Sequence, residues 1–385
     1  MLNKVINKLL HVAFLTFVRI AIIYARLKIK NHQENQKKRI LALPYYPLNY
    51  AGGHERIGDW KNAVEAHGVA FEIHWASDEK FYKSHGLSTN PWKKYRFFFT
   101  LTWRRLSIIK RLHRYDAIWI QRAFVPFFPF VNAVFEKAIS AHGNVTYDFY
   151  DADYLSNLNL VNETIQVAKK VTVPNNFLAD YCKKYNAKTH YVPFSFNYSR
   201  YPQKKYDERS DNDVLIGWAG APGNFENVKK IGNQLVQIEN EFPQVRFLFV
   251  CREKIDVGLR RVAYTKWGDE GFDYMQTLGK FDIGINPMVK VDERTKAKTS
   301  FKCMEYMSLG IAFFTSPHGI PNGIKHNESG IIVEHNQDWY AEIKDLLQNP
   351  KKIEELGVNA RKLIENEHDY FKNTPILLDV LLNTK

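Results

Sequence analysis

Short runs of β-branched and aromatic residues return along this chain at intervals wide enough to hold a helix, and that alternation constrains its fold most. The runs cover 40–43, 69–75, 117–121, 145–149, 171–173 and 190–192. A polar stretch, 197–213, follows, rich in charge (Lys204, Lys205, Asp207, Glu208, Arg209, Asp211, Asp213) and almost without apolar residues. The pattern then resumes at 214–218, 245–251, 261–264, 281–286, 311–315 and 331–333, with helical periodicity between, as at 227–241 and 339–347. Strands separated by helices imply parallel, doubly wound sheets. At about 150 residues per domain, 385 residues suit two of them. The expected fold is therefore α/β: two Rossmann-like domains, 40–200 and 214–365, facing a central cleft and joined by a linker, 201–213. Ligands of such sheets bind beyond the carboxyl ends of the strands, so the loops there should carry the chemistry.

Charge is unevenly placed. The chain holds 54 Lys+Arg against 41 Asp+Glu. Residues 1–39 contain nine of the basic residues and a single acid, Glu34, and residues 80–115 contain ten and no acid. The rest of the chain is net acidic. A protein coating nucleic acid more often spreads its charge along the binding face, so no nucleic-acid partner is expected. With 45% apolar and 25% charged residues, a disordered tail, a collagen-like fibre and a disulfide scaffold are excluded. Cys182, Cys251 and Cys303 are isolated, with no CxxC or Cys/His pair at metal-ligand spacing. They read as small core residues of a protein in a reducing compartment.

Both basic segments suit a membrane surface. Residues 9–25 are almost continuously apolar, and at 100° per residue Lys4, Lys8, His11, Arg19, Arg26 and Lys30 share one arc of about 100°. This pattern predicts an N-terminal amphipathic helix lying among anionic headgroups. A single-span anchor, a signal peptide and a core helix are the alternatives, although no small-x-small cleavage site follows. The second segment interleaves aromatic and basic residues, from Pro91-Trp92-Lys93-Lys94-Tyr95-Arg96-Phe97-Phe98-Phe99 to Trp103-Arg104-Arg105 and Lys110-Arg111. Such a mixture fits the water–lipid interface. It would also stack on single-stranded nucleic acid, or form a solvated helix whose aromatics pack inward. For Ile108, Ile109 and Leu112 the inward reading is preferred, and for the others the membrane.

Three loops after strands are candidates for chemistry. The first leads from 40–43 through Gly52-Gly53-His54 into a helix, and paired glycines there let backbone N–H groups approach a phosphate or sugar. It matches neither a dinucleotide fingerprint nor a Walker loop, and a plain turn explains it equally well. The second, Gly217-Trp218-Ala219-Gly220-Ala221-Pro222-Gly223, has GxGxxG spacing with a proline inside it, and the next strand runs to Arg252 rather than to an acid. That disfavours a dinucleotide oxidoreductase. The third is the most informative: Phe281 to Pro287, then Lys298-Thr299-Ser300-Phe301-Lys302-Cys303-Met304-Glu305. A helix capped by Thr299 or Ser300 puts Lys302 and Glu305 on one face, with Lys298 beside its N-terminus. Helix dipole, N–H groups and two ammonium groups then converge as a diphosphate site, and Glu305 suits a ribose diol. The plainer alternative is a surface helix with ordinary charges.

The stretch Asp282-Ile283-Gly284-Ile285-x-Pro287, the Lys-x3-Lys-x2-Glu-Tyr-Met segment from Lys298 and the later Ser316-Pro317-His318-Gly319…Ser329-Gly330 resemble the donor domain of GT-B glycosyltransferases of family 4 (glycosyltransferases group 1). The Gly52-Gly53 loop, Ile120-Gln121-Arg122 and Asp148-Phe149-Tyr150-Asp151-Ala152-Asp153 look like the N-terminal half of one subgroup. The resemblance spans roughly residues 40–380. It implies transfer of a sugar from a nucleotide diphosphate donor, UDP- or GDP-linked, with retention of configuration and without a cofactor or metal ion. It also implies that the last helix, 366–385, crosses back to the first domain. The family's Glu-x7-Glu motif places its second Glu on Glu305, and its first falls on Ala297, which departs from the pattern. The basic residues usual after the first donor-domain strand are absent too, so Lys298, Lys302 and Arg252 are left to supply positive charge.

A departing diphosphate gains charge that fixed cations stabilise. Lys298 and Lys302 are thus expected to be catalytic, with Gly52, Gly53, Gly220, Arg252 and Glu305 binding the nucleotide sugar. Asp151, at the end of strand 145–149, is positioned to orient an acceptor hydroxyl or accept its proton, with Asp153 and Arg122 on the acceptor or sugar. Asp148 reads instead as a turn or structural residue. The expected protein is a peripheral enzyme on the cytoplasmic face of an anionic membrane, extending a lipid-linked or envelope glycan. Its rivals are a catalytically silent nucleotide-sugar-binding partner that keeps the fold, and a nucleic-acid binder.

Overall fold

The computed structural model describes residues 2–31, 36–206, 213–254, 256–266, 271–288, 290–334 and 339–383. Asp207, Glu208, Arg209 and Asp211 of the expected linker lie outside them. Among the described residues twelve strands form two six-stranded sheets, parallel throughout. The chain divides into two units, Met1–Ser195 with Tyr370–Lys385, and Phe196–Asp369.

The first unit opens with helix α1 (Leu2–Lys28). Its sheet comprises β1 (Arg39–Leu43), β2 (Ala70–Ile73), β3 (Ala117–Gln121), β4 (Val145–Asp148), β5 (Lys170–Val173) and β6 (Thr189–Tyr191), in the order β2-β1-β3-β4-β5-β6. Every residue of β3, β4 and β5 is buried, as a sheet covered on both faces demands. Between β2 and β3 runs helix α2 (Pro91–Ile108), started by Pro91 in its first turn and by Asn90, whose side chain accepts from the Trp92 and Lys93 N–H groups.

The second sheet comprises β7 (Val214–Ala219), β8 (Val245–Val250), β9 (Val262–Thr265), β10 (Ile283–Asn286), β11 (Ala312–Thr315) and β12 (Ile331–Ile332), in the order β12-β11-β10-β7-β8-β9. Helix α3 (Phe301–Leu309) connects β10 to β11. The expected helix at 227–241 is two, Phe225–Lys230 and Gly232–Glu241, parted at Ile231. Residues 196–206 join this unit. The Lys204 N–H donates to Leu309 O, its ammonium pairs with Asp282 at 3.2 Å, and Tyr206 donates to Gly310 O.

The expected last helix, 366–385, starts later than the sequence suggested: Pro350–Glu367 ends before His368, and α4 (Tyr370–Leu382) begins beyond it. The chain re-enters the first unit there. Leu377, Val380 and Leu381 join a core with Ile40, Trp60 and Trp119, and the Tyr370 ring meets Trp60 edge-on at 4.9 Å.

Two expectations for the basic segments need correcting. In α1, Phe14, Val18, Ala21 and Ala25 are buried, so part of the supposed lipid-facing surface is a protein seam. Phe14 packs on Tyr95, Phe98 and Phe99 of α2. His11 belongs to that seam rather than to the basic arc, with Nδ1 3.0 Å from the Tyr95 hydroxyl, and Lys30 lies beyond the helix end. In α2, Tyr95, Phe97, Phe98 and Arg105 are buried. Periodicity sends every third or fourth side chain inward whatever its charge. The Arg105 guanidinium survives there by donating to His74 O and Pro44 O, each at 2.6 Å, and burial pulls its pKa down to about 9.

Candidate functional site

In the second unit the site begins with two glycines in register. Gly217 of β7 pairs with Gly284 of β10, and both face aromatic rings. A Cβ on Gly217 would come 2.2 Å from the Phe281 ring, and one on Gly284 2.7 Å from the ring of Tyr306. Only residues without side chains let α3, which carries Tyr306, press this close to the sheet. Ser300 caps α3, its hydroxyl accepting from the Cys303 N–H, while its own N–H donates to Gly319 O at 2.8 Å. Gly319 has φ +66°, and a Cβ there would strike Thr295 O.

That cap places Lys302 in the first turn of α3, half-buried, with its ammonium 5.6 Å from the Trp218 ring centroid, a cation–π arrangement. Gly220 makes room for it, since a Cβ there would be 3.0 Å from Lys302 Cε. Glu305, one turn on, accepts from the Tyr274 hydroxyl at 3.0 Å. Burial pushes its pKa up to about 7, against the Tyr274 hydrogen bond and the Lys302 charge. Burial likewise pulls Lys302 below the usual lysine range, opposed by Glu305 and Cys303 and reinforced by Lys298. The Thr299 hydroxyl is enclosed and without a hydrogen-bond partner among the described residues.

The structure thus assembles Gly220, Lys302 and Glu305, with Lys298 within electrostatic reach. Arg252, two residues past β8, is exposed at the same end of the sheet. Ala297 is fully buried. Trp218 and Tyr274 are partners that sequence reasoning did not single out. Trp218 sits inside the glycine loop and was readable there as an aromatic among glycines. Tyr274 lies 31 residues from Glu305, with no local signal.

In the first unit Arg122 is the organiser. It follows β3 with φ +62°, and the Ala123 N–H donates across it to Gln121 O at 2.7 Å. That is a γ-turn of the rare positive-φ kind, held against its strain by what surrounds it. Its guanidinium pairs with Asp153 at 3.0 Å and Asp151 at 3.4 Å and lies over the rings of Tyr150, Tyr46 and Tyr45 at 4.5, 5.3 and 5.5 Å. Burial opposes its charge, and Tyr150, Asp153, Tyr46 and Asp151 more than offset that, so it stays protonated. Asp151 and Asp153 are both half-buried.

Asp148, by contrast, is structural. Fully buried, it accepts from Arg56 at 2.6 and 2.9 Å and from Thr172 at 2.7 Å. Gly52 and Gly53 are required by the protein itself. A Cβ on Gly52 would strike the Tyr150 hydroxyl, and one on Gly53 would come 2.5 Å from Pro47 O. Gln121 ties this loop to β3, accepting from the Tyr45 N–H and donating to Gly52 O.

Each unit therefore presents charged side chains among aromatic rings at the carboxyl ends of its strands. The family model described as "Glycosyl transferase-like" matches residues 233–379. A comparison with curated proteins found no match. Among solved structures, HepE from Anabaena, in complex with UDP-glucose, is 14% identical with a TM-score of 0.63, over 89% of this chain and 99% of that one. Sucrose-phosphate synthase from Thermosynechococcus elongatus is 13% identical with a TM-score of 0.60, over 88% and 97%. WaaG, a glycosyltransferase involved in lipopolysaccharide biosynthesis, is 12% identical with a TM-score of 0.55, over 89% and 99%. Likeness at these identities is one of fold, and the fold is GT-B.

Proposed function

We propose that this chain is a glycosyltransferase of family 4 that moves a sugar, with retention of configuration, from a nucleoside diphosphate to a hydroxyl of a lipid-linked or envelope glycan. The observation that carries this reading is Lys302, half-buried in the first turn of a capped helix, beside Gly220 and one turn from Glu305. As the anomeric C–O bond breaks, negative charge grows on the leaving diphosphate, and a fixed ammonium at a helix N-terminus lowers that barrier without a metal ion. The acceptor oxygen bonds to the anomeric carbon, and its proton ends on the departing phosphate. Glu305 accepts from the ribose diol, and the enclosed Thr299 hydroxyl is a spare donor beside the phosphates. Asp151 and Asp153, fixed by Arg122, hydrogen-bond acceptor hydroxyls. HepE was solved with UDP-glucose, which makes UDP the first nucleotide to test.

The test is thermal stabilisation by UDP and GDP, followed by hydrolysis of a panel of nucleotide sugars. Stabilisation by one of the two that Lys302→Ala and Glu305→Ala abolish is expected, with Lys302→Ala slowing turnover by about a hundredfold or more. Full turnover in Lys302→Ala would overturn the reading. Burial of Ala297 where the family has a carboxylate favours a second reading, a nucleotide-sugar-binding protein without transfer. Nucleotide binding with no hydrolysis or transfer across the panel would select it.

A further inference from the structure

Helix α1 has three faces. His11, Phe14, Val18, Ala21 and Ala25 form the seam on the first unit. On the opposite side Val5, Leu9, Val12, Ile20, Ile23 and Leu27 are 52–74% exposed. At 100° per residue these six fall within an arc of about 80°. Lys4, Lys8, Arg19 and Arg26, all exposed, occupy the arc between stripe and seam. Helix α2 adds a second exposed line, Trp92, Arg96 and Trp103, with the two tryptophans 60% and 67% exposed. Phe99 lies on that line and meets Phe14 of the seam and Phe17 beside it at 5.0 Å, so α1 and α2 pack side by side.

We infer that this joint surface is a docking face for an anionic lipid monolayer, with α1 lying in the headgroup plane. Exposed aliphatic side chains insert, tryptophans sit at the polar boundary, and the basic row meets anionic headgroups. Charge singles out lipid as the occupant: α1 and α2 contain no acid, while Lys4, Lys8, Arg19 and Arg26 on the first and Lys93, Lys94 and Arg96 on the second are exposed. By length and composition α1 is also able to span a bilayer. Its packing argues otherwise. Tyr95 abuts His11 and Phe14 midway along α1, so a spanning α1 would carry the exposed Lys94 and Arg96 into the hydrocarbon.

The surface is tied to the Arg122 cluster by packed rings. Phe97 of α2 meets Phe127 at 5.8 Å, and Phe127 meets Tyr45 at 4.5 Å and Tyr46 at 5.6 Å. On the glycosyltransferase reading, docking therefore holds the acceptor residues next to the bilayer. The docking itself does not depend on that reading.

Flotation of the full-length protein with phosphatidylcholine vesicles, with and without phosphatidylglycerol, tests it, without donor present. Binding to the anionic vesicles is expected. The double variant Leu9→Asp/Ile20→Asp should weaken it about tenfold or more, Trp103→Ala should weaken it less, and Lys8→Glu/Arg26→Glu should abolish the anionic preference. All these positions are exposed, and unchanged melting temperatures would show that the variants fold. Equal flotation of the Leu9/Ile20 variant, or no flotation at all, overturns the inference. So does resistance of the membrane-bound protein to alkaline carbonate, which indicates spanning. A dimer dispersed by the Leu9/Ile20 change without any vesicle binding overturns it in favour of a second copy of this chain. Donor hydrolysis assayed without vesicles keeps failure of the enzymatic reading separate.

Discussion

Glu305 is where single-residue physics is most exposed to test. With its pKa near 7, it is half ionised at neutral pH, and only the carboxylate accepts two hydrogen bonds from a ribose diol. UDP affinity should therefore drop about tenfold between pH 8 and pH 6, measured by titration calorimetry, and Glu305→Gln should flatten that profile. Stability should run the other way. A group whose folded pKa is raised stabilises the fold fully below its unfolded value and loses that contribution as pH rises through about 7. Urea midpoints of wild type and Glu305→Gln across pH 5–8 should show the difference. The Lys302–Glu305 pair is readable in the sequence because three residues make one helical turn. Tyr274, whose hydroxyl donates to Glu305, is not readable this way, because a hydrogen bond across 31 residues leaves no periodic trace.

Among the elements, α1 and α2 separate what patterning can and cannot say. The helix at α1 follows from its long apolar run, whereas a helix at α2 is one of three readings that the interleaved segment allows, fixed in the structure by the Asn90 cap and Pro91. Their buried faces do not, because apolar side chains cover α1 on every side but its basic arc and aromatics recur around α2, leaving several solutions of similar hydrophobic gain. The ring of Phe14, fully buried among Tyr95, Phe98, Phe99 and Phe130, selects one. Phe14→Ala should cost about 3 kcal/mol locally. Hydrogen exchange should then accelerate in α1 and the first half of α2 while the protection of β3 and β4 is unchanged.

For the whole molecule, the chain's return to its first unit matters most. Helix α4 belongs to the core of a unit whose strands ended nearly 180 residues earlier, and Leu377 and Leu381 are fully buried there. Lys170 also donates to Val380 O and Asn383 O from β5. Truncation after Asp369 should therefore destabilise the first unit rather than the one that precedes it in sequence. Limited proteolysis of the truncated chain should cut within residues 2–195 while a fragment near 196–369 survives. Survival of the first unit instead would show that α4 is dispensable to it.

All twelve strands follow from local composition, each within a few residues, because β-branched and aromatic runs favour the pleated backbone wherever the chain goes. Their grouping into two parallel sheets follows from the helices between them. What only tertiary structure decided is which side of each helix faces protein. It also decided that Gly217 and Gly284 stand in register beneath Phe281 and Tyr306, and that Arg122 gathers Asp151, Asp153 and three tyrosines. Such contacts arise from space-filling between segments far apart in sequence. Propensity, acting over a few neighbouring residues, does not reach that far.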